Sequence, residues 1–269
     1  MNDKYINSCF NYTGSKYKLL EQIIPHFDFS KENFVDLFTG GGSVYINVLD
    51  KYKNVIVNDI IKELIGIHKS IYESDSIIED VKKLCPGKHD KEGYLALRDD
   101  YNNNPTPAKL WALMLCCTNN MMRFNKQFKF NQTHGVRTFN DSTESKINEF
   151  KSHIRNFDNI YYHSKTFKDV QIMENTMYYI DPPYTNSEAG YNAYWNKGDD
   201  ILLTKYCNDV NKAGSTFMVS GVLEHDNKEC ILLNNLISEG YNVVELDFNY
   251  NKVSRKGDKE TREVIIKNY

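Results

Sequence analysis

The chain has 269 residues, with 33 Lys and Arg against 36 Asp and Glu, a net charge of −3. At 41% hydrophobic and 26% charged residues it is built to fold, and a balance this near neutrality excludes a polybasic coating of nucleic acid while leaving room for a locally basic face. The six cysteines make no C-x-x-C pair and no histidines stand near them at ligand spacing, so neither a disulfide framework nor a metal site is expected.

The first residues, Met1 to Ser8, are polar and lack the apolar core of a signal peptide. Tyr17, Leu20, Ile23 and Ile24 then recur at helical spacing. Phe34 to Phe38 reads as a buried strand, and Thr39-Gly40-Gly41-Gly42-Ser43 as a turn opening a helix. Val55 to Asn58 is a second strand, closed by Asp59. Beyond Ile61 the strands stop, and helices are predicted over Lys62–Tyr72, Ser76–Leu84, Tyr94–Tyr101 and Ala108–Asn119, broken by Cys85-Pro86-Gly87 and Asn104-Pro105-Thr106-Pro107. The longest apolar run, Leu110 to Cys117, is far short of the ~20 residues that cross a bilayer. An aromatic and basic stretch, Arg123 to Phe139, precedes a return through Glu144 to Asn156.

Strands resume at Ile160–Tyr162, Met177–Ile180, Thr216–Val219, Val243–Phe248 and Arg262–Ile266, with helical spacing at Leu202, Leu203, Tyr206 and Val210 and at Ile231, Leu232, Asn235 and Leu236. Alternating strands and helices predict an α/β fold, a mostly parallel sheet covered on both faces. The last two strands are expected to form an antiparallel C-terminal hairpin. The helical stretch reads as an insertion, so residues 1–60 and 158–269 form one discontinuous domain and 61–157 another. A soluble cytoplasmic protein is expected, with no membrane partner.

Two sites carry chemistry. A strand running into glycines lets backbone amides approach a ligand, and Asp59, about twenty residues on at the tip of the next strand, is placed to hold two ribose hydroxyls. No Walker-type G-K-[ST] is present, and the glycines depart from G-x-G-x-x-G, which disfavours ATP and NAD. The second site is Asp181-Pro182-Pro183-Tyr184 after Met177–Ile180. The prolines fix the backbone so that the Asp181 carboxylate and the Pro182 carbonyl face outward together. Those acceptors suit the two N–H groups of an exocyclic amine, while Tyr184 stacks on its ring. Holding both N–H groups localises the nitrogen lone pair and disperses the positive charge that develops on methyl transfer.

Phe38-x-Gly40-x-Gly42 and Asp181-Pro182-Pro183-Tyr184, in this order around a helical insert, resemble the Dam-type adenine-specific DNA methyltransferases, among them the small phage-encoded ones. Tyr12-Thr13-Gly14-Ser15-Lys16, Asn119-Asn120-Met121-Met122-Arg123-Phe124-Asn125, Thr166-Phe167-Lys168-Asp169-Val170 and Val222-Leu223-Glu224-His225 match as well. The resemblance implies a Rossmann-like sheet that binds S-adenosylmethionine and no metal. Tyr12 and Lys16 would lie beside this cofactor, and Asp36, Phe38, Gly40, Gly41, Gly42 and Ser43 would wrap its methionine part. Asp59 would take the ribose, Phe167 would pack on the adenine, and Asp181 would touch both cofactor and target base.

The insert would then read duplex DNA. Residues 123–140 hold Arg123, Lys126, Lys129 and Arg137 and no acid, interleaved with Phe124, Phe128, Phe130 and Phe139. By resemblance this is a recognition hairpin, with Arg123, Asn125, Asn131 and Arg137 at the DNA. Asn131-Gln132-Thr133-His134-Gly135 stands where the family commonly has Asn-Val-Pro-Phe-Gly, which bears on the bases read. A second basic patch carries Lys252, Arg255 and Lys256, suited to clamping phosphates or equally to an ordinary charged loop. Tyr191, Tyr194 and Trp195 are placed to cover an extruded base, with core packing an equal reading for Trp195. The expected activity is methylation of the adenine 6-amino group within GATC, by base flipping. The enzyme would act as a monomer in solution or a dimer on DNA, in a bacterial cell or phage-infected host, as in restriction–modification. An amino-methyltransferase acting on cytosine or RNA, and a silent DNA-binding homologue, are the alternatives.

Overall fold

The computed structural model describes residues 4–183, 195–225, 228–247 and 262–269. Its frame is a sheet of β1 (Asn33–Asp36), β2 (Asn54–Asn58), β3 (Ile160–His163), β4 (Thr176–Ile180), β5 (Thr216–His225), β6 (Lys228–Glu229), β7 (Asn242–Leu246) and β8 (Arg262–Lys267). The order is β3-β2-β1-β4-β5-β8-β7, with two-residue β6 set beside β5. β3, β2, β1, β4 and β5 run parallel, and β8 pairs antiparallel with both β5 and β7. The expected α/β architecture and antiparallel end are therefore observed.

The helices are α1 (Leu20–Ile23), α2 (Lys62–Glu73), α3 (Ile77–Leu84), α4 (Lys91–Asn103), α5 (Pro107–Cys116), α6 (Asp141–Ile154), α7 (Lys197–Lys212) and α8 (Ile231–Ser238). Several begin on side-chain caps. Asp90 accepts from Gly93 N, Thr106 from Lys109 N ahead of Pro107, and Asn140 from Thr143 N. Asn196 and Asp199 form a reciprocal capping box on α7. Among the described residues no helix is long and apolar enough to cross a membrane.

The inner strands β1, β2 and β4 are buried on both faces, which is why they read as unbroken apolar runs, whereas the edge strands β3 and β7 are partly exposed. Alternate residues serve two cores. Phe34, Val55, Met177, Tyr179 and Met218 join a cluster shared with α2–α6, while Val35, Ile56, Tyr178, Phe217 and Val219 pack with α7 and α8. The first cluster is continuous from the sheet into the helices between β2 and β3, through residues such as Phe10, Trp111 and Phe150.

Several elements differ from expectation. The segment after the glycines forms only a single 3-10 turn, Tyr45–Asn47. Val44, Tyr45, Ile46, Val48 and Leu49 are all buried, so the segment has no wet face to give a helix its period, and its β-branched residues disfavour one. α5 stops at Cys116, because Cys117 is extended at φ −81° and ψ 164°, and Asn119 and Asn120 beyond it take left-handed backbone angles. β5 runs on past Val219 to His225, since β8 pairs with it through Ser220 and Gly221, with a bulge between Val222 and Glu224.

Candidate active site and nucleic-acid interface

The chain's crossovers reverse between β1 and β4, which lie side by side with Asp36 opposite Tyr179. In doubly wound sheets the carboxyl ends of the strands at this switch point form the ligand crevice. A cavity of about 460 Å3 opens there, lined by the glycine turn, Tyr12 to Lys16, Asp36, Asp59, Phe167 and Asp181 to Pro183. That volume suits a small-molecule site.

The floor is the glycine turn. Gly40 and Gly42 have φ of +49° and +77°, angles costly to any residue with a Cβ. At Gly42 a Cβ would lie 2.5 Å from Tyr45 Cε1 and 2.7 Å from His68 Cε1. Tyr12 lies over the turn, so that a Cβ on Gly41 would meet its own Cβ at 2.6 Å. Asp59 is buried and closes the side, its Oδ2 accepting from Gly40 N at 3.1 Å and its Oδ1 from Ile61 N at 2.9 Å. Burial holds its carboxyl above the usual carboxylate range.

Asp36 sits deeper, 2% exposed, and its Oδ1 has no hydrogen-bond partner among the described residues. Burial, reinforced by the charges of Asp181 and Asp59, pushes its pKa up to about 8. Ser43, beside it in the cavity wall, is also buried. The far wall is aromatic: Phe38, Phe167 and Trp195 meet with ring centroids 5.5–5.9 Å apart. Trp195 Nε1 donates to Asp200 at 2.7 Å. Trp195 therefore packs with the two phenylalanines and, with them, lines the cavity.

Asp181 stands at the rim. Lys16 Nζ donates to its Oδ1 at 2.8 Å and Oδ2 at 2.7 Å, and to Gly14 O at 3.2 Å. Lys16 is 5% exposed and Asp181 18%, and a lysine so buried requires such a partner. Ser220 Oγ donates to Asp181 Oδ1 at 3.2 Å and lies 2.8 Å from the Tyr179 hydroxyl. Pro182 and Pro183 follow at the cavity edge. Tyr184, Tyr191 and Tyr194 lie outside the described residues, as do Lys252, Arg255 and Lys256.

The basic stretch is a small hairpin. Phe124 and Phe130 bridge antiparallel, Asn131 N bonds Arg123 O, and Asn125 Oδ1 caps the tip by accepting from Gln127 N and Lys129 N. It ends nearer than residue 140: residues 133–135 turn back to pair with 116–118 through Thr118 N to Thr133 O and Gly135 N to Cys116 O. Lys126, Lys129 and Arg137 are exposed. Arg123 braces the hairpin through Asn131 Oδ1 and O, and Arg137 bonds Asn120 Oδ1. Of the aromatics, Phe124 and Phe130 are buried and Phe128 is exposed at the tip with φ +57°. Phe124 and Phe128 also line the cavity, so this hairpin and the glycine turn face one space.

Residues 12–252 match the profile of the D12 class N6 adenine-specific DNA methyltransferases. The chain belongs to this family. It is 33% identical to the Modification methylase StsI of Streptococcus sanguinis over 99% of this chain and 43% of that protein. It is 32% identical to the Type II methyltransferase M.FokI of Planomicrobium okeanokoites, again over 99% and 43%. A DNA adenine methylase of Haemophilus influenzae is 23% identical over 68% of this chain and 66% of its own. The chain thus spans less than half the length of the first two relatives.

Membership in the D12 family implies S-adenosylmethionine, and the residues fit it. The glycine turn leaves the buried Gly41 N–H without an acceptor among the described residues, Asp36 Oδ1 is unpartnered, and an aromatic wall faces both. Two residues of this D12 site carry no mark in the sequence, Ser220 and His68. Ser220 sits in a Ser-Gly pair that reads as a strand end. His68 is a lone histidine on a helix, whose bond to Gly40 O spans 28 residues. Among the described residues no group of three His, Cys, Asp or Glu is placed to hold a metal.

Proposed function

We propose that this chain methylates the 6-amino group of adenine in duplex DNA, with the base extruded into the cavity rim beside Asp181. S-adenosylmethionine, when bound, supplies an electrophilic methyl on a sulfonium sulfur. In this reading Tyr12, Gly40, Gly41, Gly42, Ser43 and Asp36 hold its amino-acid part, Asp59 the ribose, and Phe38 and Phe167 the adenine ring. Residues 61–157 serve as the target-recognition part. The observation that carries the reading is Asp181 at the rim of the cavity, backed by Ser220 and Lys16.

Asp181 and the Pro182 carbonyl each accept one N–H of the amine, which turns the nitrogen lone pair toward the methyl donor. Ser220, braced by Tyr179, fixes the carboxylate plane. Lys16 holds both Asp181 oxygens in place and shares them as the amine arrives, since a carboxylate has about four acceptor directions. On taking the methyl group the nitrogen would become positive, the charge that Asp181 is placed to stabilise. It stays next to Asp181 until one of its protons leaves to solvent. Lys126, Lys129 and Arg137 supply phosphate contacts, and Asn125, Asn131 and Arg123 shape the surface that reads base edges. Lys252, Arg255 and Lys256, offered from the sequence alone, would add further phosphate contacts. GATC is the site the Dam-type resemblance points to, and it is the first sequence to test.

Incubation with labelled S-adenosylmethionine and unmethylated duplex, followed by digestion to nucleosides, is the test. Label in N6-methyladenine is expected, and Asp181→Ala should abolish it. Label in methylcytosine, or full activity in Asp181→Ala, would refute the reading.

A further inference from the structure

His68 stands on α2 behind the glycine turn and is fully buried. Its Nε2 lies 3.0 Å from Gly40 O and its Nδ1 3.1 Å from the Tyr45 hydroxyl. A carbonyl only accepts, so Nε2 carries the proton and Nδ1 accepts from Tyr45. The two partners thereby select one neutral tautomer. Burial pushes the ring's pKa down to about 4, which keeps it neutral at physiological pH. Phe10, at 5.0 Å and edge-on, and Phe150, at 6.3 Å, hold the ring in place.

In a trans peptide the C=O and the following N–H point in opposite directions. The Gly40 carbonyl is drawn back to His68, so the Gly41 N–H faces the other way, toward the cavity that Gly40 and Gly41 line. The neighbouring donors are already committed, Gly40 N to Asp59 and Gly42 N to Thr39 O. Gly41 N–H alone of the three glycine donors has no acceptor among the described residues.

We infer that His68 is a positioning residue of the cofactor site. By pinning the Gly40 carbonyl it aims the Gly41 N–H at an acceptor oxygen of the bound ligand, and the carboxylate of S-adenosylmethionine is the anionic group that such a donor suits. The inference rests on reading the cavity as the S-adenosylmethionine site.

The test is calorimetric titration with S-adenosylhomocysteine, alongside fluorescence anisotropy of a labelled duplex without cofactor. His68→Phe keeps the ring volume and removes both ring nitrogens. Its cofactor Kd should weaken about tenfold or more, the range for a lost hydrogen bond to a charged group. Duplex affinity should stay within about twofold of wild type. The KM for S-adenosylmethionine should rise while kcat at saturation is kept. His68→Gln puts an amide N–H near the Nε2 position and should restore most of the affinity. His68→Asn, whose amide reaches only the Nδ1 position, should not, and this pair decides the matter if His68→Phe does not fold. Wild-type affinity in His68→Phe, or parallel loss of cofactor and DNA binding in all three variants, overturns the inference alone. No binding by the wild type overturns the cavity reading with it.

Discussion

Asp36→Asn should make the protein more stable at alkaline pH and leave it nearly unchanged at acid pH. Folded Asp36 keeps its proton up to about pH 8, whereas an unfolded aspartate releases it near 3.8. Between those values the folded state binds more protons than the unfolded one, so stability falls as pH rises through the window. The shift covers about four pH units at 1.36 kcal/mol each, an upper bound of about 6 kcal/mol. Relaxation and water entry reduce such penalties, and about 2–3 kcal/mol is expected to survive. Asparagine has the same shape and no charge to desolvate. For a chain of this size that difference corresponds to an increase in Tm of about 5–10 °C at pH 8. Thermal unfolding of both proteins from pH 4.5 to 8.5 measures it. A difference that does not change with pH, or a variant that melts lower at pH 8, would refute the claim that Asp36 is a buried carboxyl whose charge the fold disfavours.

Replacing Lys126 and Lys129 together by Ala should reduce the salt dependence of duplex binding by about two units of slope, one per lost phosphate contact. An unchanged slope would place the DNA on another face. Gly42→Ala should cost about 2–4 kcal/mol, because it adds a collision with Tyr45 and His68 to the left-handed backbone angle. Gly214→Ala is its control, with φ +71° and nothing within 4 Å, so only the backbone part, about 1–2 kcal/mol, should appear in its melting curve. Equal losses in the two variants would show that the close approach at the turn contributes nothing.

How much of this was legible beforehand depends on how far apart in the chain the partners lie. Strands β1 to β4 announce themselves because each is a short apolar run bounded by turn residues, and the run alone places Asp59 and Asp181 at strand tips. Phe38 shows the limit. It reads as the end of the first strand, yet β1 ends at Asp36 and Phe38 turns out to meet Phe167 and Trp195. The bond from Lys16 to Asp181 crosses 165 residues and that from Ser220 to Asp181 crosses 39, so no local period records either. The aromatic and basic alternation of 123–130 was visible, but which rings point inward depends on the Phe124–Phe130 pairing across a turn whose tip angles no periodicity sets.

The buried cluster that runs without interruption from the sheet into α2–α6 limits how this protein can be re-engineered. A chimera that exchanges residues 61–157 wholesale would import one half of a jigsaw whose other half, Phe10, Tyr45 and Val57 among it, stays behind. The surface hairpin is a better unit of transplantation. It is tied to its surroundings by a few backbone bonds near Cys116 and Thr118 and by the Asn102 amide, which donates to and accepts from Phe130. A graft cut at those seams that keeps Phe124, Phe128 and Phe130, two of them buried in the same cluster and two of them lining the cavity, exchanges the exposed tip while leaving that packing intact.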